Sequence, residues 1–305
     1  MKNLSLATLF SALAGFVLMW VAGWALDVET EYRYFTAYWG LFFAATGVID
    51  GITHETTRAV ASARETGARG TASPWRFGAS VATGIVFVVI GVGFWVMVKL
   101  VPMSPAPATS LLVFGLISYV FQAALSGILS GAQLWDQYAG LVALDSGVRL
   151  GLALLAWVLG WGLSAFLLIT VAGAVSWLAI LGASRQARDR IRVALDVNRE
   201  AFTRRVLSAM VASGASAALI TGFPTAVSAA FPDGDAQLSI IISAINNAVM
   251  LTRAPVLVPL QRFQSALVVR FVGVVRSVIL ALFAGPLAGS IVHVIGLSRA
   301  KAGAT

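Results

Sequence analysis

The chain contains no cysteine in 305 residues, which excludes disulfides, thiolate metal sites and cysteine nucleophiles together. Histidine is nearly as scarce. His54 and His293 fall in different segments, so a multi-histidine metal centre or a haem ligand pair has no material, and no metal or cofactor is expected. Charge is thin as well: Asp, Glu, Lys and Arg make up 11% of the sequence, against about 25% in a soluble domain. Acids are the rarer sign, 13 against 21 basic residues, giving a formal net charge of +8 and a pI near 10.6. In a nucleic-acid binder that surplus would form a basic face on a polar fold. Here it sits mainly between apolar runs, the pattern of loops that obey the positive-inside rule, and no nucleic-acid partner is expected.

What the chain has in quantity is apolar length. Hydrophobic residues are 59% of the whole and the mean hydropathy is +0.88. At ~20 residues per spanning helix this supplies about eight or nine helices and leaves nothing for a soluble domain with its own core. The expected fold is all-α, a polytopic helical membrane protein with about nine transmembrane helices. No strand alternation suited to a membrane barrel occurs.

Leu4 to Leu26 is too long for the apolar core of a signal peptide and reads as a retained first helix. Further runs follow at about 34–61, 77–101, 109–129, 135–163 and 164–181. The acidic connector Asp27 to Glu31, the Pro-rich stretch Pro102 to Pro107 and the turn Gly160-Trp161-Gly162 punctuate them. Arg58, Arg64, Arg69 and Arg76 cluster around the second loop, which places that loop and the N-terminus in the cytoplasm. Residues 184–205 carry seven arginines and read as a basic cytoplasmic linker, part of it a surface helix. Three more runs, 206–231, 238–260 and 272–295, complete the count. The organisation is thus a six-helix membrane lobe over 1–183, the linker over 184–205, and a partial C-terminal membrane lobe over 206–305.

Charges within spanning helices cost several kcal/mol and mark functional positions or internal pairs. Asp50, His54 and Arg58 recur at i, i+4 and i+8, with Glu55 three residues before Arg58. They form one charged face that reads either as a gate or ion-coupling group, or as Arg58 snorkelling to the interface beside Glu55. Asp145 and Arg149 are spaced i, i+4, as a self-neutralised pair or a second functional charge. Arg253 has no acid within five residues and needs a partner from another helix, water or an anionic ligand; Asn246 and Asn247 read either as lining the same path or as hydrogen-bonding between helices. Pro224 and Pro255 interrupt their helices, as passive kinks or as breaks that expose backbone to a cavity. Gly-x3-Gly pairs at 47/51, 127/131, 147/151 and 285/289 permit close helix approach, with internal packing the default. Trp20, Trp24, Trp39, Trp135 and Trp161 read as interface anchors. No nucleophile, base and orienting group assemble in the sequence, and no phosphate-cradling glycine loop occurs, so enzymatic chemistry is not expected.

In these segments the sequence resembles the polysaccharide flippase branch of the MATE-like multidrug, oligosaccharidyl-lipid and polysaccharide exporter superfamily. The resemblance rests on Tyr38-Trp-Gly-Leu-Phe-Phe leading into Gly51-Ile-Thr-His-Glu-Thr-Thr-Arg58, on Trp135 through Arg149, on Gly222-Phe-Pro224 and on Leu251 through Pro259. It spans about residues 1–270. It implies a MATE-like N-terminal lobe facing a second lobe across a cavity, in the inner membrane of a bacterium, moving a lipid-linked glycan to the outer leaflet. Such a substrate carries an anionic pyrophosphate, for which arginine is the suited residue type. By position in the matching segments, Arg58, Arg149 and Arg253 would lie on that path, with Asp50, Glu55 and Asp145 as partners or ion-coupling groups. Against the twelve or fourteen helices of that family, the second lobe here is incomplete, so a homodimer or a partner membrane subunit would complete it. A non-transporting scaffold of a glycan-assembly complex and a small-molecule antiporter remain as alternatives.

Overall fold

The structure, a computed structural model, describes residues 2–27 and 30–220, together with Ala244, Ala248, Val269 and Arg270. All regular structure among the described residues is helical. Six long helices come first: α1 Lys2–Ala25, α2 Glu31–Thr66, α3 Pro74–Leu100, α4 Pro105–Gly131, α5 Trp135–Val158 and α6 Leu163–Ala183. Each is long and apolar enough to cross a bilayer. The short α7, Arg185–Asp189, and the long α8, Arg199–Ile220, follow.

The boundaries follow local chemistry. Gly67 closes α2 in the left-handed region at φ 73°, donating its N–H to the Ala63 carbonyl. Ser73 caps α3 by accepting from the Arg76 N–H, with Pro74 in the first turn. Pro105 starts α4, so the Pro-rich stretch is shorter as a loop than the sequence suggests: its second half is the first helical turn. Gly160, at φ 67°, makes the expected turn between α5 and α6. Two helices deviate internally, α3 through a π segment at Val89–Gly93 and α6 through a 3₁₀ turn at Gly173–Val175.

α2 and α4 form the centre of the bundle. α1 packs on α5, α3 on α4, and α6 fills the space among α2, α4 and α5. The outward face of α1 carries Leu6, Leu9, Leu13, Val17, Trp20 and Trp24 at helical spacing, all exposed, while Leu4, Leu18 and Val21 on its other side are buried. A helix apolar on both faces fits lipid rather than water. Exposed Phe87, Ile90, Val92 and Trp95 repeat this on α3. The chain is a multi-pass membrane protein.

Lipid is as apolar as leucine, so helix association depends on close packing rather than water exclusion. The glycine pairs supply it. A Cβ on Gly127 would lie 2.5 Å from the Thr56 side chain, and one on Gly131 would lie 2.7 Å from the Thr57 carbonyl. These two residues seat α4 on α2. Gly51 receives the backbone of α8 at Met210, Gly47 receives Ala217, and Gly214 of α8 receives Val48. Gly147 faces Phe10 of α1 at 3.7 Å, whereas Gly151 opens on nothing within 4 Å.

Two expectations change in detail. Helix α8 begins at Arg199, inside the segment read as linker, because Asn198 caps it by accepting from the Ala201 N–H at 2.9 Å. Trp39 is no interface anchor: it is 8% exposed and sits between the tilted rings of Phe35 and Phe43, with ring centroids 5.7 and 4.6 Å away. Trp20 and Trp24 do lie on the outer face, about two-thirds exposed. Of the nine expected spans, the first six coincide with α1 to α6, and the seventh run begins within α8. The runs at 238–260 and 272–295 lie outside the described residues.

Candidate functional site

Asp145 and Arg149 stand near the middle of α5, ten and fourteen residues past Trp135. At 1.5 Å per residue the first lies about 15 Å from that end, close to the centre of a ~30 Å hydrocarbon core. Both are buried, at 3% and 5% exposure. Arg149 Nη1 donates to Asp145 Oδ2 at 2.6 Å, and its Nε donates to the Thr170 carbonyl of α6 at 3.0 Å. The guanidinium carbon lies 5.1 Å from the Phe43 ring centre and 6.0 Å from that of Phe42, both on α2. Gln122 of α4 donates Nε2 to Asp145 Oδ1 at 3.1 Å. Four helices therefore meet on one ion pair.

Glycine makes the meeting possible. A Cβ on Gly173 would sit 2.7 Å from Arg149 Cζ and Nε and 2.6 Å from the Asp145 carbonyl. Any side chain there would push α6 off the pair. Within the cluster, Arg149 Nη2 and Gln122 Oε1 have no hydrogen-bond partner among the described residues. They are a donor and an acceptor, the complementary set that a water or a polar ligand group satisfies.

A second charged cluster lies at the end of the bundle that carries the arginine-rich segment. α2 is 36 residues long, about 54 Å, far more than the hydrocarbon thickness. Its last turns can therefore project into water, which lowers the cost of its charges. Arg58 donates Nε to Glu55 Oε2 at 2.8 Å and Nη2 to Glu55 Oε1 at 2.7 Å. Its other edge donates Nη1 and Nη2 to Asp196 Oδ2 and Oδ1, at 2.9 and 3.1 Å. The guanidinium thus holds two carboxylates in forked geometry. Arg205 Nη1 lies 4.0 Å from Glu55 Oε1. The segment bearing Asp196 is tied down by backbone bonds, Gly70 N–H to the Leu195 carbonyl at 2.6 Å and Ala72 N–H to that of Val197 at 3.2 Å.

The expected charged face of α2 is divided between neighbours. Asp50 Oδ1 accepts from the Tyr119 hydroxyl of α4 at 2.8 Å, whereas Arg58, two turns on, turns to Glu55 and Asp196. His54, between them, is half-buried. Tyr119 and Gln122 are three residues apart on α4 and so share a face, placing a polar strip beside both acids, Asp50 and Asp145. Arg253, Asn246, Asn247, Pro224 and Pro255 lie outside the described residues. Among the described residues, no three His, Asp or Glu side chains converge as a metal site would need.

The sequence reading found Asp145, Arg149, Glu55 and Arg58 but missed Asp196, Gln122, Tyr119, Thr170 and Gly173. Gln122 was the most accessible of these, a lone amide in an apolar helix. Nothing local marks Asp196, which is 138 positions from Arg58.

No family profile matches the chain, and no solved structure matches it. The chain is 33% identical over 269 residues to an uncharacterized protein of Mycobacterium bovis, covering 87% of this chain and 61% of that protein. It is 35% identical over 240 residues to an uncharacterized protein of Mycobacterium tuberculosis, covering 78% of this chain and 55% of the relative. Both relatives are mycobacterial. The chain spans about three fifths of the length of the first of them.

Proposed function

We propose that this chain is a flippase, or a component of one, that moves a lipid-linked oligosaccharide or polysaccharide precursor across the cytoplasmic membrane during cell-envelope glycan synthesis. It breaks and makes no bonds in this reading and is not an enzyme. The observation that carries the reading is the Asp145–Arg149 pair, two charges kept at mid-membrane depth inside an otherwise apolar bundle. Charges so placed are costly, and membrane proteins retain them where ions or polar substrates pass. The N-terminus lies in the cytoplasm, because the arginine-rich segment then faces inward.

The substrate's pyrophosphate needs cationic donors that can bind two oxygens at once, which arginine supplies. Arg58 stands at the cytoplasmic end, held between Glu55 and Asp196 until a diphosphate competes for its donors. Arg149 stands at mid-depth with Nη2 uncommitted among the described residues; Arg253, Asn246 and Asn247, outside the described residues, are proposed as further substrate contacts. Asp50, His54, Glu55 and Asp145 serve as gating or ion-coupling groups; Pro224 and Pro255, outside the described residues, are the proposed helix-break positions. In this reading a second copy of the chain or another membrane subunit is its partner in transport.

The test is mass spectrometry of lipid-linked saccharides and surface glycan in a deletion strain carrying either the intact gene or its Arg253→Ala version. The expected result is accumulated intermediate and lost surface glycan, rescued by the intact gene alone. Normal intermediates and glycan in the deletion strain would overturn the proposal in favour of a scaffold or an antiporter.

A further inference from the structure

We infer that the turn Arg185 to Arg192, where α6 leaves the membrane, is a binding site for anionic phospholipid headgroups. The inference requires the chain to lie in a bilayer but not to move a glycan, so it stands apart from the proposed transport. Eight residues here carry four arginines and one aspartate, a net charge of +3. The positive-inside rule accounts for the sign of such a loop but asks for no geometry. This turn has one. Ser184 Oγ accepts from the Ala187 N–H at 3.2 Å, and Ala187 is fully buried. Arg188 Nη1 donates to the Leu181 and Gly182 carbonyls at 2.9 and 2.7 Å, closing the end of α6. Trp75 Nε1, from the start of α3, donates to the Ile191 carbonyl at 3.0 Å.

These contacts fix the backbone of the turn and leave its cations outward. Arg185, Arg190 and Arg192 are exposed, and none enters an ion pair among the described residues. Their placement chooses the occupant. Leu178 on α6, half exposed and lipid-facing, lies only two turns before Arg185, which puts the arginines at headgroup level. A phosphodiester offers the paired oxygens that a guanidinium fits. The negative surface potential of an anionic leaflet strengthens binding about fivefold for each arginine near the surface. Three fixed arginines together give a preference on the order of a hundredfold over a zwitterionic lipid.

The experiment uses the purified full-length protein in mixed phosphatidylglycerol and phosphatidylcholine, with lipid retention read by native mass spectrometry. The intact protein is expected to keep phosphatidylglycerol in preference, and R185Q/R190Q/R192Q to lose about a hundredfold of that preference. The triple R64Q/R69Q/R76Q, equal in lost charge but outside the fixed turn, is expected to lose markedly less of it. Equal loss in both triples would mean that only net charge matters and would overturn the site, as would unchanged retention in the first triple or displacement of the lipid by added RNA. Should the first triple not fold, salt decides with the intact protein. Phosphatidylglycerol retention must then fall between about 50 and about 500 mM NaCl while phosphatidylcholine retention holds; salt-independent retention overturns the inference.

Discussion

Replacing Asp145 with alanine separates two roles that the static picture merges. Asp145 and Arg149 share one helix, one turn apart, so their pairing survives when helices separate within the membrane and adds little to helix association. Its main effect falls on insertion. A lone arginine at a helix centre costs about 2.5–3.5 kcal/mol on insertion scales, roughly a hundredfold in the insertion equilibrium. Asp145→Ala exposes α5 to that cost; D145L/R149M removes both charges and inserts better than the wild type. At this cluster the links between helices are instead Gln122, Thr170 and the Phe43 ring. Gln122→Leu is therefore expected to lower bundle stability by only about 0.6 kcal/mol, the usual scale for interhelical hydrogen bonds in membranes. The assay is glycosylation mapping of α5 insertion in the full-length chain, paired with thermal unfolding in detergent. Equal insertion of wild type and Asp145→Ala would refute the reasoning, since the two charges would then not neutralise each other on the way in.

Two glycine substitutions divide by what their methyl groups meet. Gly51→Ala places a Cβ 2.5 Å from the Met210 Cα and is expected to cost about 1–3 kcal/mol. Gly151→Ala, open on its side, is expected to be neutral or to stabilise by up to ~1 kcal/mol through helix propensity; thermal unfolding of the two variants checks the contrast. Asp196→Asn leaves Arg58 its fork on Glu55 and, because the guanidinium is partly exposed, should lower stability by less than about 1 kcal/mol. Limited proteolysis should nonetheless cut residues 184–198 faster in that variant, and an unchanged cleavage rate would argue that the backbone bonds at Gly70 and Ala72 hold the segment alone.

Much of the first lobe was legible because membrane helices are written in composition. Six apolar runs became six helices, and the i, i+4 and i, i+3 spacings identified Asp145 with Arg149 and Glu55 with Arg58 before any tertiary contact was known. Where the reading fell short, the missing information was non-local. Trp39 had the residue type of an interface anchor, and only the flanking Phe35 and Phe43 together with the packing of α6 put it in the core. The start of α8 was hidden by its charges: Arg199, Glu200, Arg204 and Arg205 read as linker because helix content there comes from the Asn198 cap and from packing on α2. Asp196 belongs to a strap whose partner is set by the return of the chain to α2, a distance that periodicity cannot measure.

α2 has a mechanical character that follows from its length. At one end Glu31 accepts the Leu163 N–H at the start of α6 through Oε1, at 3.4 Å; at the other, Arg58 grips the strap. Between these points Gly51 meets the α8 backbone at Met210 and Gly47 meets the Ala217 methyl, neither of which has side-chain rotamers to absorb slippage. α2 and α8 then move as one rod. A displacement of α8 therefore bears on both ends of α2, on the Glu31 contact with the start of α6 and on the Arg58 grip on the strap.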